Sequence, residues 1–332
     1  MNDQRQHHIF GPVPSRRLGR SLGVDLVPFK TCTYDCIYCQ LGRTTCKTHE
    51  RKEWVPMDAV LEELKQKLAT HPDYITLSGS GEPTLCPRLG EIIERIKAMT
   101  SIPVAVLTNG SLLWLKEVRA AVALADVVMP SLDAGDDLLF QTVNRPHPEI
   151  TFERLVSGLE QFRREFTGQY WLEVMLLAGH TALPAHVQKI AHWVQRIRPD
   201  RVQLNTATRP PCEEFALPVP PARLAELARL IRPTAEVVAE HRARTVPAGS
   251  TASAETILAL LRRRPCTVEG IAQGLGMKPA EAVKLLAHLE SRGRVHTERQ
   301  GSERFYRATT STQGQTPSQF TPPGVAVKAA KP

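Results

Sequence analysis

Three cysteines, Cys32, Cys36 and Cys39, lie close together in the chain and form the spacing CxxxCxxC. Thiolates are the usual protein ligands of iron–sulfur clusters, and a cubane [4Fe–4S] cluster normally takes four of them. Three thiolates on one short loop can bind three of the irons, which leaves one iron open to a substrate or cosubstrate. The spacing therefore predicts a [4Fe–4S] cluster with one open iron.

A zinc site, or three incidental thiols, is the alternative interpretation of the same cysteines. A closed zinc site has four tetrahedral ligands, usually supplied as two pairs. No Cys or His pair at a matching spacing follows Cys39, so the cluster is favoured. The other four cysteines are expected to be ordinary thiols: Cys46, Cys86, Cys212 and Cys266. Cys212 is also a candidate hydrogen-atom donor or second metal ligand.

The cysteine motif, with Tyr38 directly before its last cysteine, resembles the signature of radical S-adenosylmethionine (radical SAM) enzymes. The stretches 11–19 (GPVPSRRLG) and 78–85 (SGSGEPTL) are similar to those of the wyosine-synthase-like iron–sulfur oxidoreductases. The resemblance runs from about Phe10 to about Cys212. It implies that SAM binds the open iron and that its reductive cleavage yields a 5′-deoxyadenosyl radical. It also implies a reductant such as flavodoxin or ferredoxin.

The resemblance further implies where SAM binds. Ser80-Gly81-Glu82-Pro83 resembles a Gly-Gly-Glu-Pro motif that holds the SAM amino group through backbone oxygens, and small residues let a ligand approach the backbone closely. Other candidates end predicted strands, where a satisfied polar cap is the alternative. The full set of expected SAM contacts is Tyr38, Gly79, Ser80, Gly81, Glu82, Asn109, Ser131, Asp133 and Asn205.

Two further sets of polar residues flank the predicted site. The segment 144–147 (NRPH) is expected to close over it, with Arg145 pairing with a carboxylate of SAM or substrate. Asp133 is a sensible acceptor for two ribose hydroxyls. Five cations surround the cysteines: Lys30, Arg43, Lys47, Arg51 and Lys52. The favoured interpretation is a solvated face, and the alternative is a docking patch for an acidic electron donor or for nucleic acid.

Strand and helix patterns alternate along the first two thirds of the chain. The predicted strands cover residues 21–27, 74–77, 102–107, 126–129, 170–177 and 201–204, and the predicted helices cover residues 57–70, 89–99, 112–124, 152–166, 184–197 and 222–231. Residues 11–20 are expected to be an extended lead-in. This alternation predicts a parallel sheet covered by helices, and together with the resemblance it predicts a partial (β/α)6 TIM-like barrel over residues 1–242. In such folds the carboxyl ends of the strands carry the chemistry.

A second domain is predicted over residues 254–308, after a linker at 243–253. Three helical patterns followed by strand, turn and strand resemble a winged helix-turn-helix domain. Such domains bind DNA, RNA or protein, or pack on their own enzyme. A tail at 309–332 is expected to be disordered. Candidate phosphate contacts in the winged helix are Lys278, Lys284, Arg299 and Arg304.

The bulk properties bound the function further. No apolar run approaches the roughly 18 residues of a membrane span, and the amino terminus lacks a signal-peptide pattern, so a cytoplasmic location is expected. The net charge of +8 is compatible with a nucleic-acid partner. The subgroup resemblance suggests RNA modification, yet no cysteine precedes Cys32 for the second cluster of the wyosine enzyme, so peptide and small-molecule substrates stay open. An iron–sulfur, redox-responsive DNA-binding regulator is the competing function.

Overall fold

The computed structural model describes residues 8–238 and 253–309. The predicted linker, apart from Ser253, and the predicted tail, apart from Thr309, lie outside these residues. Within them, no helix is both long enough and apolar enough to cross a membrane.

The segment 8–238 contains ten strands and seven α-helices. The strands are β1 (Ile9–Ser15), β2 (Gly19–Val24), β3 (Thr31–Cys32), β4 (Cys46–Lys47), β5 (Tyr74–Leu77), β6 (Val104–Thr108), β7 (Val127–Pro130), β8 (Gln169–Met175), β9 (Arg201–Asn205) and β10 (Glu236–Val237). The helices are α1 (Met57–Lys67), α2 (Leu89–Met99), α3 (Lys116–Val122), α4 (Asp137–Val143), α5 (Phe152–Glu165), α6 (Pro184–Ile197) and α7 (Pro221–Ala228).

Eight of these strands form one sheet in the order β1-β2-β5-β6-β7-β8-β9-β10. From β2 to β10 neighbouring strands are parallel, and only β1 is antiparallel to its neighbour. The chain is thus a mixed α/β fold with a mostly parallel central sheet. All six predicted strands are present, with ends that differ from the expected ones by a few residues.

Strand β1 corrects the expectation of an extended lead-in over residues 11–20. Its residues pair with β2, from Ile9 opposite Val24 to Ser15 opposite Gly19. The prolines of this stretch concealed the strand, because proline cannot donate to a ladder and is normally tolerated only at a sheet edge. The edge position of β1 is where that missing donor costs least.

The helices cover the sheet with apolar faces that follow the helical period. Helix α2, for example, buries Leu89, Ile92, Ile93 and Ile96, which lie on one face at that spacing. Helix α4 was not predicted. It is short and begins at Asp136, whose carboxylate accepts the backbone N–H of Leu139 at 2.9 Å as an N-cap.

The segment 253–309 has the predicted order of three helices and a hairpin. The helices are α8 (Ala254–Leu261), α9 (Val268–Leu275) and α10 (Pro279–Ser291), and the hairpin pairs β11 (Val295–Gln300) with β12 (Glu303–Ala308). These elements enclose a hydrophobic cluster of their own, to which Val13 of β1 adds. The two segments are also joined by an ion pair, Arg263 Nε to Asp25 Oδ2, at 3.1 Å.

Candidate metal centre

The three cysteines lie on the long connection between β2 and α1. Backbone hydrogen bonds hold this cysteine loop (residues 30–40) against the segment that follows α4: Ile37 N donates to Val143 O at 3.0 Å, and His147 N donates to Thr33 O at 2.8 Å. The segment 144–147 therefore lies beside the cysteines, where it was expected. The loop position is set by main-chain contacts and does not depend on the cysteine side chains.

Each cysteine sulfur receives a hydrogen bond from a different part of the chain. Asn109 Nδ2 donates to Cys32 Sγ at 3.6 Å, and Asn144 Nδ2 donates to Cys36 Sγ at 3.5 Å. The Lys30 ammonium donates to Cys39 Sγ at 3.2 Å. Such donors stabilise thiolates and tune the metal centres that thiolates bind.

The raised pKa values of two of the thiols are consistent with a site for a cation. Burial and the negative charge of Glu82 raise the pKa of Cys32 to about 12. Burial, the charge of Asp133 and those of the other two cysteines raise the pKa of Cys36 well above its usual value. Without metal, the thiols of Cys32 and Cys36 therefore stay protonated near neutral pH, and binding of cationic iron would favour their thiolate forms.

The arrangement of the cysteines differs from a site for a single ion. Within the part of the chain that the structure describes, no three His, Cys, Asp or Glu side chains form a group that could hold one metal ion. A cubane does not require such a group, because each thiolate binds a different iron. The residues present fit a cluster better than a closed zinc site.

Lys30 corrects the interpretation of the surrounding cations as a solvated face. Lys30 is only 3% exposed, and its ammonium donates a hydrogen bond to Cys39 Sγ. Arg43, in contrast, has a side chain that is 62% exposed and pairs with Asp35 and Glu213. No pattern in the sequence distinguishes the two cations, because the burial of Lys30 results from packing against the turn after β5.

That turn, residues 79–82, packs against the cysteine loop. A Cβ on Gly81 would lie 1.8 Å from the carbonyl oxygen of Thr31, and Gly79 has φ +130° with Asp25 beside it. The carbonyl of Ser80 accepts the backbone N–H of Lys30 at 2.7 Å. These glycines are therefore required for close contact between the turn and the rest of the protein. The predicted contact of this motif with SAM through backbone oxygens stays a prediction.

Glu82 is buried, and its carboxylate is occupied by the protein. It accepts the hydroxyls of Thr84 and Thr108, each at 2.6 Å, and the backbone N–H of Asn109 at 2.8 Å. Burial raises the pKa of Glu82, and these hydrogen bonds oppose the rise. The carboxylate thus positions Asn109, the residue that donates to Cys32.

Asp133 has the same kind of role for the second asparagine. Its carboxylate accepts Tyr38 Oη at 2.5 Å, Asn144 Nδ2 at 2.8 Å and the backbone N–H of Met175 at 2.9 Å. These contacts with the protein agree with the alternative of a satisfied polar cap, and the contact of Asp133 with a ribose stays a prediction. Burial raises the pKa of Asp133 to about 6, although the three hydrogen bonds oppose the rise.

Replacing Asp133 with asparagine is expected to change the pH dependence of stability. Because the folded carboxyl has a pKa near 6 and the unfolded one is near about 3.9, the folded state binds this proton more tightly. The wild type therefore loses stability as the pH rises through 6. Asparagine does not titrate, so the free energy of unfolding of Asp133→Asn minus that of wild type should rise by about 1 kcal/mol from about pH 5 to about pH 8. Urea unfolding of both metal-free proteins measures this difference, and an equal difference at both pH values would contradict it.

The remaining strand-end candidates form a neighbouring polar group. Asn205 Nδ2 donates to Glu173 Oε1 at 3.1 Å, and Arg17 pairs with the other oxygen of Glu173. Ser131 lies opposite Glu173 through an isolated bridge between β7 and β8. Burial raises the pKa of Glu173, but Arg17 and Asn205 outweigh it and the pKa is lowered.

Arg145 does not point a free guanidinium into the site. It pairs with Glu213 at 2.6 Å, and its pairing with a carboxylate of SAM or substrate stays a prediction. Cys212 is half-buried near this pair, whereas Cys86 and Cys266 are buried. Sequence reasoning missed the contacts of Lys30 and Asn144 with the sulfurs and the hydrogen bond from Asn109 Nδ2 to Thr33 Oγ1 at 2.7 Å. The only available signal was the placement of Asn144 directly before Arg145.

Comparison with known proteins agrees with this geometry. Residues 26–194, about half of the chain, match the sequence model of the Radical SAM superfamily. A UPF0026 protein of Helicobacter pylori strain J99 is 34% identical over 312 residues, which cover 90% of this chain and 96% of that protein. A UPF0026 protein of Methanocaldococcus jannaschii is 32% identical over 237 residues, covering 70% and 73%. The chain therefore belongs to the radical SAM superfamily and to the UPF0026 family.

Other similarities are partial. A Brachyspira hyodysenteriae protein named GTPase Obg is 40% identical over 295 residues, but this chain spans only 43% of its length. Among solved structures, HydG, a maturase of the [FeFe]-hydrogenase, has a TM-score of 0.49 at 14% identity, covering 65% of this chain and 50% of HydG.

As a member of the radical SAM superfamily, this protein has two cofactors, a [4Fe–4S] cluster and S-adenosylmethionine. The three half-buried thiols with separate donors fit the cluster. Cys32, Cys36 and Cys39 would hold the cluster, which would supply the electron for a one-electron reduction.

Replacing Lys30 with methionine is expected to make the cluster harder to reduce. The change removes a positive charge 3.2 Å from Cys39 Sγ and keeps most of the side-chain volume. The reduction potential should fall by on the order of tens of millivolts. An anaerobic titration followed by electron paramagnetic resonance measures it. Lys47→Met is the control, because Lys47 is exposed and donates to the backbone oxygens of Arg145 and Pro146. An equal fall in both variants would contradict a specific role of Lys30.

Proposed function

We propose that this protein is an enzyme that reductively cleaves S-adenosylmethionine at a cluster bound by Cys32, Cys36 and Cys39. The product would be a 5′-deoxyadenosyl radical that abstracts hydrogen from a substrate. The observation that carries this proposal is the set of three separate donors, Lys30, Asn109 and Asn144, on the three sulfurs. An electron donor such as flavodoxin or ferredoxin would supply the reducing electron.

Two sets of residues would position the cysteine sulfurs: one contacts the sulfurs, and the other holds the first set in place. Lys30, Asn109 and Asn144 hold the sulfurs, and the buried carboxylates Glu82 and Asp133 hold the two asparagines. Backbone groups of residues 79–82 and the polar ends of the next strands would bind SAM, with Ser131 and Asn205 as side-chain candidates. A surrounding partial (β/α)6 barrel would keep water away from the radical.

Anaerobic turnover tests the proposal directly. The reconstituted protein would be reduced with dithionite and given SAM, and 5′-deoxyadenosine would be measured by chromatography. We expect its formation to require both the reductant and the cluster. A fully loaded cluster that yields no 5′-deoxyadenosine, with or without added tRNA, would contradict the proposed activity.

The segment 253–309 is proposed to be a winged helix that serves its own enzyme. Its hairpin contacts the sheet-containing segment: Gln300 Nε2 donates to Ala207 O at 2.8 Å, and Arg307 Nη1 donates to Gln40 O at 3.0 Å. Gln40 directly follows Cys39, so the hairpin lies beside the cysteine loop. This docking favours a part in substrate binding over independent DNA binding.

A redox-responsive DNA-binding regulator is the second candidate. It is supported by four exposed cations on α10 and the hairpin: Lys278, Lys284, Arg299 and Arg304. Specific DNA binding that changes on cluster oxidation, without cleavage of SAM, would favour this candidate. SAM cleavage by a chain with no DNA affinity would eliminate it. For the enzyme, the wyosine-like subgroup resemblance favours RNA modification as the reaction.

A further inference from the structure

Four arginines meet where the segment 253–309 packs on the sheet. Arg16 and Arg17 lie in the turn between β1 and β2, Arg209 follows β9, and Arg264 follows α8. All four are half-buried. We call them the arginine cluster. Its members come from three distant parts of the sequence, and only the docking of the two segments brings them together.

Specific contacts tie the arginine cluster to the metal centre. Arg209 Nη1 donates to Gln40 Oε1 at 3.1 Å, and the backbone oxygen of Gln40 accepts from Arg307 at 3.0 Å. Arg17 pairs with Glu173, which is bound to Asn205 at the end of β9. The cluster therefore borders both the cysteine loop and the polar strand ends.

The positive charge of this group is poorly compensated by the protein. Among residues 8–238 and 253–309, Arg16, Arg209 and Arg264 form no ion pair with a carboxylate, and the hydrogen bond of Arg209 to Gln40 is to a neutral amide. The Nε atom of Arg264 is buried without a hydrogen-bond partner. Burial and the charges of Arg264, Arg16 and Arg17 lower the pKa of Arg209. Burying unpaired charge costs free energy, so a protein retains such a group where an anion offsets the cost.

We propose that the arginine cluster binds a phosphate group of the substrate. This inference rests on the proposed function, because it assigns the substrate class of the same site. Four guanidinium groups and the carboxylate of Glu173 leave three positive charges. A carboxylate would neutralise one of them, whereas a phosphate ester carries about −1.5 to −2 charge and a diphosphate more. Guanidinium groups also match phosphate oxygens with paired hydrogen bonds.

The proposal gives the segment 253–309 a direct part in substrate binding. It contributes Arg264, and its hairpin holds Gln40 through Arg307. The phosphate would anchor the substrate beside the cysteine loop, with its reacting carbon directed to the metal centre. The four arginines would then be substrate-binding residues that contact the phosphate and not the reacting carbon.

Binding of inorganic pyrophosphate tests the proposal without turnover. The probe is titrated by calorimetry into the full, cluster-loaded chain at constant ionic strength. We expect saturable binding that Arg209→Gln and Arg264→Gln each weaken by at least about tenfold. Arg95→Gln is the matched control, because Arg95 is exposed and pairs with Asp58 on α1. Absence of saturable binding, or equal weakening by all three substitutions, would overturn the proposal.

A second readout separates binding from a structural role. Because the arginines repel one another, Arg264→Gln should raise the melting temperature of the ligand-free protein while it weakens pyrophosphate binding. If Arg264→Gln does not fold, the arginines are structural and the proposal fails unless Arg264→Lys folds and weakens binding. Arg264→Lys keeps the charge but loses the paired donors. A lower melting temperature with unchanged affinity would overturn the proposal.

Two outcomes distinguish this inference from the proposed function. A wild-type chain that cleaves SAM but does not bind pyrophosphate would overturn the arginine cluster alone, and a wild-type chain that binds pyrophosphate but does not cleave SAM would overturn the activity alone. Competition then identifies the source of the phosphate. Displacement by ribose 5-phosphate assigns a small phosphorylated substrate, and displacement only by a 5′-phosphorylated RNA oligonucleotide assigns an RNA phosphate.

Discussion

Replacing Cys36 with alanine is expected to abolish the iron–sulfur cluster and, with it, all cleavage of S-adenosylmethionine. The substitution leaves two thiolates for a cubane that normally takes four and has three here. Asn144, which donates to Cys36 Sγ, would keep its second contact with Asp133, so the fold should survive. Iron and sulfide content after anaerobic reconstitution, together with visible absorption, measures the loss.

The control for this prediction is Cys46→Ala. Cys46 is half-buried on β4, and its backbone N–H donates to the carbonyl of Lys30 at 3.1 Å, so it lies against the same loop. Its side chain makes no hydrogen bond to the other sulfurs. Cys46→Ala should therefore retain the iron content of wild type. Full iron content in Cys36→Ala would mean that the cluster lies elsewhere.

Replacing Gly81 with alanine is expected to separate the turn after β5 from the cysteine loop. A Cβ there would lie 1.8 Å from the Thr31 carbonyl oxygen. The oxygen belongs to the backbone and the position of a Cβ is fixed by the backbone, so neither atom can rotate away. Overpacking of this kind typically costs about 1–3 kcal/mol. Because Thr31 directly precedes Cys32, the displacement should also lower cluster content.

Urea unfolding of the metal-free protein and iron analysis of the reconstituted protein together test Gly81→Ala. Gly270→Ala is the matched control, since Gly270 lies in α9 and its added Cβ would have ordinary contacts, the nearest at 3.4 Å. Alanine is a better helix former than glycine, so this control should gain about 0.5–1 kcal/mol. A Gly81→Ala protein with wild-type stability and iron content would contradict the packing described for the turn.

Much of the fold was predictable because its elements depend on local periodicity. Helix α2 and strand β5 were predicted with their observed ends, since the apolar residues of α2 repeat at the helical spacing and β5 is a short apolar run. Strand β1 and helix α4 were missed for local reasons as well. Prolines hid β1, and α4 is too short to show a period.

The sequence by itself determined the motif chemistry of this protein: three cysteines at cluster spacing on one loop, the turn at residues 79–82, and alternating strands and helices. Only the tertiary structure decided what surrounds the sulfurs. Asn109 is 77 residues from Cys32, and Asn144 is 108 residues from Cys36. No local pattern couples residues so far apart, and the roles of Glu82 and Asp133 follow from burial, which a sequence does not display. The arginine cluster has the same origin, because its charges come together only where the segments 8–238 and 253–309 pack against each other.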